Sequence, residues 1–166
     1  MTPSRHGSAV IEFPNELEVL ITRRFDAPIA LVFEVLTKPE HVRRWGATHP
    51  DRMLECSIDL RVGGGYHSSF VTEDGTVCSF SGTYLEVEPP IRTMATWRFE
   101  GTPPVEAVET MELHEIDAVT TLSWRLAFRD RTGRARMTSF DGQQDSLDEM
   151  GEILRSLLDR QETASE

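Results

Sequence analysis

The chain is predicted to be an α+β domain, an antiparallel sheet with its helices segregated from the strands, and three observations carry that prediction. Between Met53 and Phe128, apolar residues recur at a period of two through six strand-like segments separated by turn signals. Two short helical patterns lie between an isolated first strand and that run. From about Arg134 to Arg160, Phe140, Gln144, Leu147, Gly151, Leu154 and Leu158 recur at steps of three and four, with Met137, Met150 and Leu157 beside them. Asp145, Asp148, Glu149, Glu152, Arg155 and Asp159 fall on the other side. This is the spacing of one amphipathic helix about 40 Å long. Burying six or seven such side chains contributes on the order of 10–20 kcal/mol gross against an ordering cost of similar size, so the helix must lie on something. The sheet before it is the available surface, and helix and sheet together make a container.

The elements follow in order. Residues 1–15 carry Pro3, Gly7 and Pro14 without a sustained period and are read as a flexible N-terminal arm. Residues 16–160 form a single domain, and 161–166 a disordered tail. Leu17, Val19, Ile21 and Phe25 alternate along the first strand, with Leu20 and Arg23 out of pattern. Asp26 is placed to cap the helix that follows, and Pro28 suits its first turn, where a missing N–H leaves nothing unpaired. Ile29, Val32, Phe33 and Leu36 give that helix one apolar face. Thr37-Lys38-Pro39-Glu40 repeats the start signal, and a second short helix covers His41 to Trp45 and stops at Gly46. In the strand run, Leu54, Cys56, Ile58 and Leu60 share a face, and Gly63-Gly64-Gly65 makes a turn. Glu73-Asp74-Gly75 and Asp117-Ala118 mark hairpins, and Pro89-Pro90 breaks the strand that starts at Val77. Ala95, Trp97 and Phe99 share the next face, then Met111 and Leu113, then Leu122, Trp124, Leu126 and Phe128.

Composition narrows the function classes. The chain has 166 residues, 39% hydrophobic and 27% charged, which fits one soluble domain with a core of useful size. No run has the length of a membrane span, and the N-terminus lacks the pattern of a signal peptide, so a cytoplasmic location is expected. Seventeen basic against 28 acidic residues give a net charge of −11, which argues against nucleic-acid binding. Cys56 and Cys78 lie within apolar strand patterns and are expected to be buried free thiols.

Four stretches carry a family resemblance. They are FDAPIALVFEVLTKPEHVRRW from Phe25, IDLRVGGGYHSSF from Ile58, DGTVCSFSGTYLEVEPP from Asp74 and TWRF from Thr96. They resemble the SRPBCC (START-like, helix-grip) superfamily, and within it the family related to the C-terminal domain of the activator of Hsp90 ATPase. The resemblance spans roughly residues 17 to 160. Its motifs are turn glycines, helix-start prolines and core aromatics, which mark architecture rather than chemistry. It implies a helix-grip (START/Bet v 1-like) fold, a curved antiparallel sheet wrapped around the long C-terminal helix, with an apolar cavity between them. The eukaryotic co-chaperone carries a second, N-terminal domain, for which 166 residues leave no room.

The candidate residues follow from this frame. Gly63-Gly64-Gly65 enters a strand with no following Lys-Ser/Thr, so it is a turn and not a phosphate cradle. None of the histidines pairs with another His, Cys or carboxylate at metal-ligand spacing on a predictable element, and neither a metal nor a cofactor is expected. His67 lies on a central strand near Ser79 and Ser81; facing inward it would serve as a base or hydrogen-bond partner, facing outward as an ordinary surface histidine. Glu109 shares a face with Met111 and Leu113. Turned inward it would be desolvated, with the raised pKa of a general acid; at a strand end it would reach solvent. Trp45, Phe70, Trp97, Met111, Trp124, Met137, Phe140 and Gln144 are the expected cavity wall, Gln144 being the polar residue on the inner stripe. The first reading is a binder of apolar or aromatic small molecules. The second is a polyketide cyclase/aromatase-like enzyme, and the third a protein-interaction module with a chaperone partner. Self-association as a homodimer is left open.

Overall fold

The structure, a computed structural model, describes residues 9–46, 52–101, 103–137 and 142–164, with side chains from 147 to 161 in the last stretch. Alternation builds the sheet. On β2 (Glu18–Phe25) the residues Val19, Ile21, Arg23 and Phe25 are buried in turn. The same phase runs through Ala95 and Trp97 on β6 (Arg92–Phe99), Ala107, Met111 and Leu113 on β7 (Val105–Ile116), and Leu122 and Phe128 on β8 (Val119–Phe128). β3 (Met53–Ile58), β4 (Gly65–Val71) and β5 (Val77–Glu88) complete the meander. All pairs are antiparallel, in the order β1-β2-β8-β7-β6-β5-β4-β3, so β2 returns beside the last strand and the chain ends of the sheet meet. The sheet is open and curved, and with the C-terminal helix it forms the helix-grip fold.

The helices differ from expectation in informative ways. α1 (Ile29–Thr37) begins where the sequence places it, but Asp26 does not cap it. The free N–H of Ile29 donates instead to Glu115, delivered by the β7–β8 hairpin from the far end of the chain. α2 (Pro39–Trp45) starts on Pro39, as its fixed φ allows. The single long helix expected from Arg134 is assigned as two segments, α3 (Arg131–Met137) and α4 (Gly142–Ala164), with 138–141 outside the described residues. α3 starts earlier than expected because Asp130 Oδ1 accepts the Gly133 N–H at 2.7 Å, an N-cap. α4 runs through residues expected to be tail. Its buried side chains are Leu147, Met150, Ile153 and Leu154, and it packs on α1 and α2.

Two strand expectations also change. Residues 10–12, expected within a flexible arm, form β1 (Val10–Glu12), paired with β2. Three exposed residues are too few to show a period, and backbone pairing to an edge is what makes them a strand. A β-bulge between Met53 and Glu55 shifts the phase of β3, so Met53 is buried and Leu54 is exposed rather than sharing a face with Cys56.

Arg23, out of the apolar pattern, keeps the inward phase of its strand and is 1% exposed. Its guanidinium reaches Asp148 on α4 at 2.8 Å, tying the first long strand to the last helix. The β7–β8 turn is as tight as a hairpin allows. Asp117 and Ala118 both take positive φ, 52° and 61°, between paired Ile116 and Val119. Positive φ at both central positions is the two-residue hairpin geometry that matches strand twist, and for alanine it costs roughly 1 kcal/mol. Ala118→Gly should therefore raise stability by about 0.5–1 kcal/mol, read as a higher melting temperature with unchanged fold. A lower melting temperature would contradict the turn geometry.

Candidate ligand cavity

The concave face of the sheet is wide, and the helices do not fill it. What remains is a cavity of about 440 Å³. Its sheet wall draws on every strand from β2 to β8. Its helical wall comes from Leu36 and Thr37 on α1, Val42 and Trp45 on α2, and Met137 on α3. Among the described side chains of α4, residues 147–161, none borders the cavity, and the helix packs on α1 and α2. Gln144 lies on α4 among residues whose side chains are not described, and Phe140 is outside the described residues.

The other six expected wall residues, Trp45, Phe70, Trp97, Met111, Trp124 and Met137, all border the cavity. Their aromatic rings fall into two clusters. The Trp45 indole N–H donates to the Val35 carbonyl at 2.8 Å, and its ring meets Trp124 edge-on at 6.5 Å. Phe70 stacks on Phe80 at 5.9 Å, Phe80 leans on Trp97 at 5.3 Å, and Trp97 meets Phe128 at 5.9 Å. Offset and edge-on contacts of this kind hold rings in place without closing the space between them.

Glu109 takes the inward orientation. It sits mid-strand between Ala107 and Met111, borders the cavity, and accepts the Trp124 indole N–H at 2.8 Å. Among the described residues that is its hydrogen-bond partner; its remaining accessible surface fits its place in the cavity wall. Burial pushes its carboxyl up to about 7, and the Trp124 bond pulls only partly the other way. His67 is arranged differently. It borders the cavity, but its ring nitrogens lie 3.4 Å from Glu55 and 3.3 Å from Glu100, neither of which does.

Two functional groups were not singled out from the sequence. Tyr66 and Tyr84 border the cavity with their rings 5.7 Å apart. Register aligns Tyr84 with Ala95 and Ala95 with Glu109, so one small side chain separates phenol from carboxylate across the sheet. Burial first, then the charge at Glu109, holds both phenols neutral well above the usual tyrosine range. The Tyr66 hydroxyl donates to the Thr96 carbonyl at 3.0 Å. That bond depends on Gly82, opposite Tyr66: a Cβ there would lie 1.9 Å from the Thr96 oxygen and 2.5 Å from the Tyr66 ring. A glycine inside a strand pattern was the available signal, since it marks close approach of another group. Cys56 and Cys78 are free thiols on the wall, raised above the usual range by burial. Among the described residues no group of three or more His, Cys, Asp or Glu is placed to hold a metal ion.

The sequence pattern of the activator of Hsp90 ATPase homolog 1-like proteins matches residues 26–155. The chain belongs to that family. Its fold is the helix-grip fold of the SRPBCC superfamily. No curated protein matches the chain in sequence. Several solved structures match in shape. A Rhodobacter sphaeroides protein superposes with a TM-score of 0.79 at 19% identity, covering 90% of this chain and 99% of that one. A Mycobacterium smegmatis protein gives 0.76 at 17%, covering 90% and 96%. A Nitrosomonas europaea protein gives 0.72 at 23%, covering 87% and 97%. At these identities the likeness is one of fold. Within the described residues of this family member, no helix is long and apolar enough to cross a membrane.

The displaced acidity of Glu109 has a sign that can be measured. The folded state favours the protonated carboxyl, so its contribution to stability is whole below the ordinary value of 4.5 and is lost as pH rises through about 7. Glu109→Gln keeps an acceptor for Trp124 and removes the titration. Relative to the wild type it should gain stability between about pH 5 and about pH 8, by up to ~3 kcal/mol, in urea unfolding at the two pH values. An identical difference at both would show that Glu109 ionises freely.

Proposed function

We propose that this family member is a cytoplasmic binder of apolar or aromatic small molecules, held in the cavity on the concave face of the sheet. Trp45, Phe70, Trp97, Met111, Trp124 and Met137 are the contact surface in this reading. The observation that supports it is a cavity of about 440 Å³ walled mainly by aromatic and aliphatic side chains with a few polar groups. Ligand sites span roughly 300–1,000 Å³ and have that character.

A second reading, an enzyme acting on an aromatic or polyketide-like substrate, draws on Glu109 specifically. A carboxyl near 7 is poised to give or take a proton at neutral pH. It stands second because Tyr66 and Tyr84, the neighbouring titratable groups, are held neutral and supply no base. A chaperone partner is the remaining reading, and it leads if the cavity takes no ligand.

A panel of aromatic hydrocarbons, alcohols, amines and fatty acids, read by tryptophan emission and melting temperature together, tests the first reading. A ligand at a hundredfold excess over its dissociation constant should stabilise the fold by about 2.7 kcal/mol. Trp97→Phe should weaken that binding with little loss of stability if the indole faces ligand, and chiefly destabilise if it is only core. A panel in which no compound moves either readout removes the binder reading.

A further inference from the structure

We propose that the ligand of this cavity carries a basic nitrogen, bound as an ammonium that donates to the cavity-facing oxygen of Glu109 while its apolar body lies against the aromatic wall. The inference rests on the binder reading and specifies its chemistry. Three observations point to a cation. The first is that Glu109 has one carboxylate oxygen taken by the Trp124 indole and, among the described residues, no partner for the other. A desolvated carboxylate in that state is costly, and a counter-charge relieves the cost.

The second is that, among the described residues, the protein places no such counter-charge beside Glu109. No Lys or Arg borders the cavity among the described residues. The titratable groups that do are Cys56, Tyr66, His67, Cys78 and Tyr84. The His67 ring nitrogens lie beside Glu55 and Glu100, outside the cavity lining, rather than beside Glu109, and the thiols and phenols are neutral at working pH. The third is the wall itself. Trp97, Trp124, Phe80 and Tyr84 turn toward the same space, and ring faces attract ammonium groups. The net charge of −11 works in the same direction at longer range, drawing cations and repelling anions. An anionic ligand would meet Glu109 with like charge.

Naphthylmethylamine and naphthylmethanol differ by ammonium against hydroxyl on one apolar body. Titrated calorimetrically into the full chain at about pH 8, the amine should bind roughly ten- to a hundredfold more tightly, the worth of a charge-assisted hydrogen bond. Its advantage should shrink by about tenfold per pH unit below the acidity of Glu109, because the carboxyl must then release a proton to pair. Glu109→Gln, checked for a cooperative melting transition, should bring the ratio of the two affinities toward one. The pH series on the wild type stands even if that variant does not fold. Equal affinities at high pH, or an amine advantage that does not shrink as pH falls, overturn the amine assignment and leave the binder reading intact. If neither compound binds while another member of the panel does, the amine assignment falls alone; if nothing in the panel binds, both fall.

Discussion

The structure depends on a mismatch of widths. Eight strands at their usual spacing make a sheet about 34 Å across, and a helix with its side chains is about 10–12 Å thick. One C-terminal helix cannot cover such a face. α1 and α2 share the task, but α4 commits its buried side chains to holding them. Curvature brings the edges of the sheet round, and the uncovered remainder becomes an interior space instead of an exposed apolar surface. The cavity follows from covering a wide sheet with narrow elements, and the large aromatics keep it from collapsing. The Arg23–Asp148 pair fixes where the helix sits by joining it to the strand that closes the sheet against β8.

Within that space, the buried carboxyl and a phenol share one row of the sheet. Tyr84, Ala95 and Glu109 stand abreast on three adjacent strands, and Trp124 reaches Glu109 from the next. Almost everything around this row is apolar, which is why the carboxyl there resists ionising. A group of this kind is expensive to keep in a merely structural interior, where a leucine would serve better. Its presence among wall residues, with no cation beside it among the described residues, makes it the most informative side chain described.

Most of the architecture was legible in the sequence, because period-two alternation and helix-start signals are local and this fold obeys them. The aromatic wall was legible for the same reason: Trp97, Met111 and Trp124 keep the inward phase of their strands. What escaped was set by partners distant in sequence. Glu115 caps α1 from 86 residues away, which no reading of Asp26 could reveal. The bulge after Met53 moved Leu54 outward by a change of register that composition does not record. Tyr66 and Tyr84 were hidden because a tyrosine in a strand reads as core, and only the register across Gly82 and Ala95 brings their rings together beside Glu109.

The tight turn at Asp117 and Ala118 has a consequence for how this chain can change over generations. Counting from that turn, the ladder runs without a break from Ile116–Val119 to Ala107–Phe128 and sets Glu109 opposite Leu126. Gaining or losing one residue in β7 between the turn and Glu109 would carry Glu109 to the outer face and bring Val108 or Thr110 in its place. A change of length inside β7 is therefore felt in the cavity, though the turn from which the ladder counts touches nothing in it.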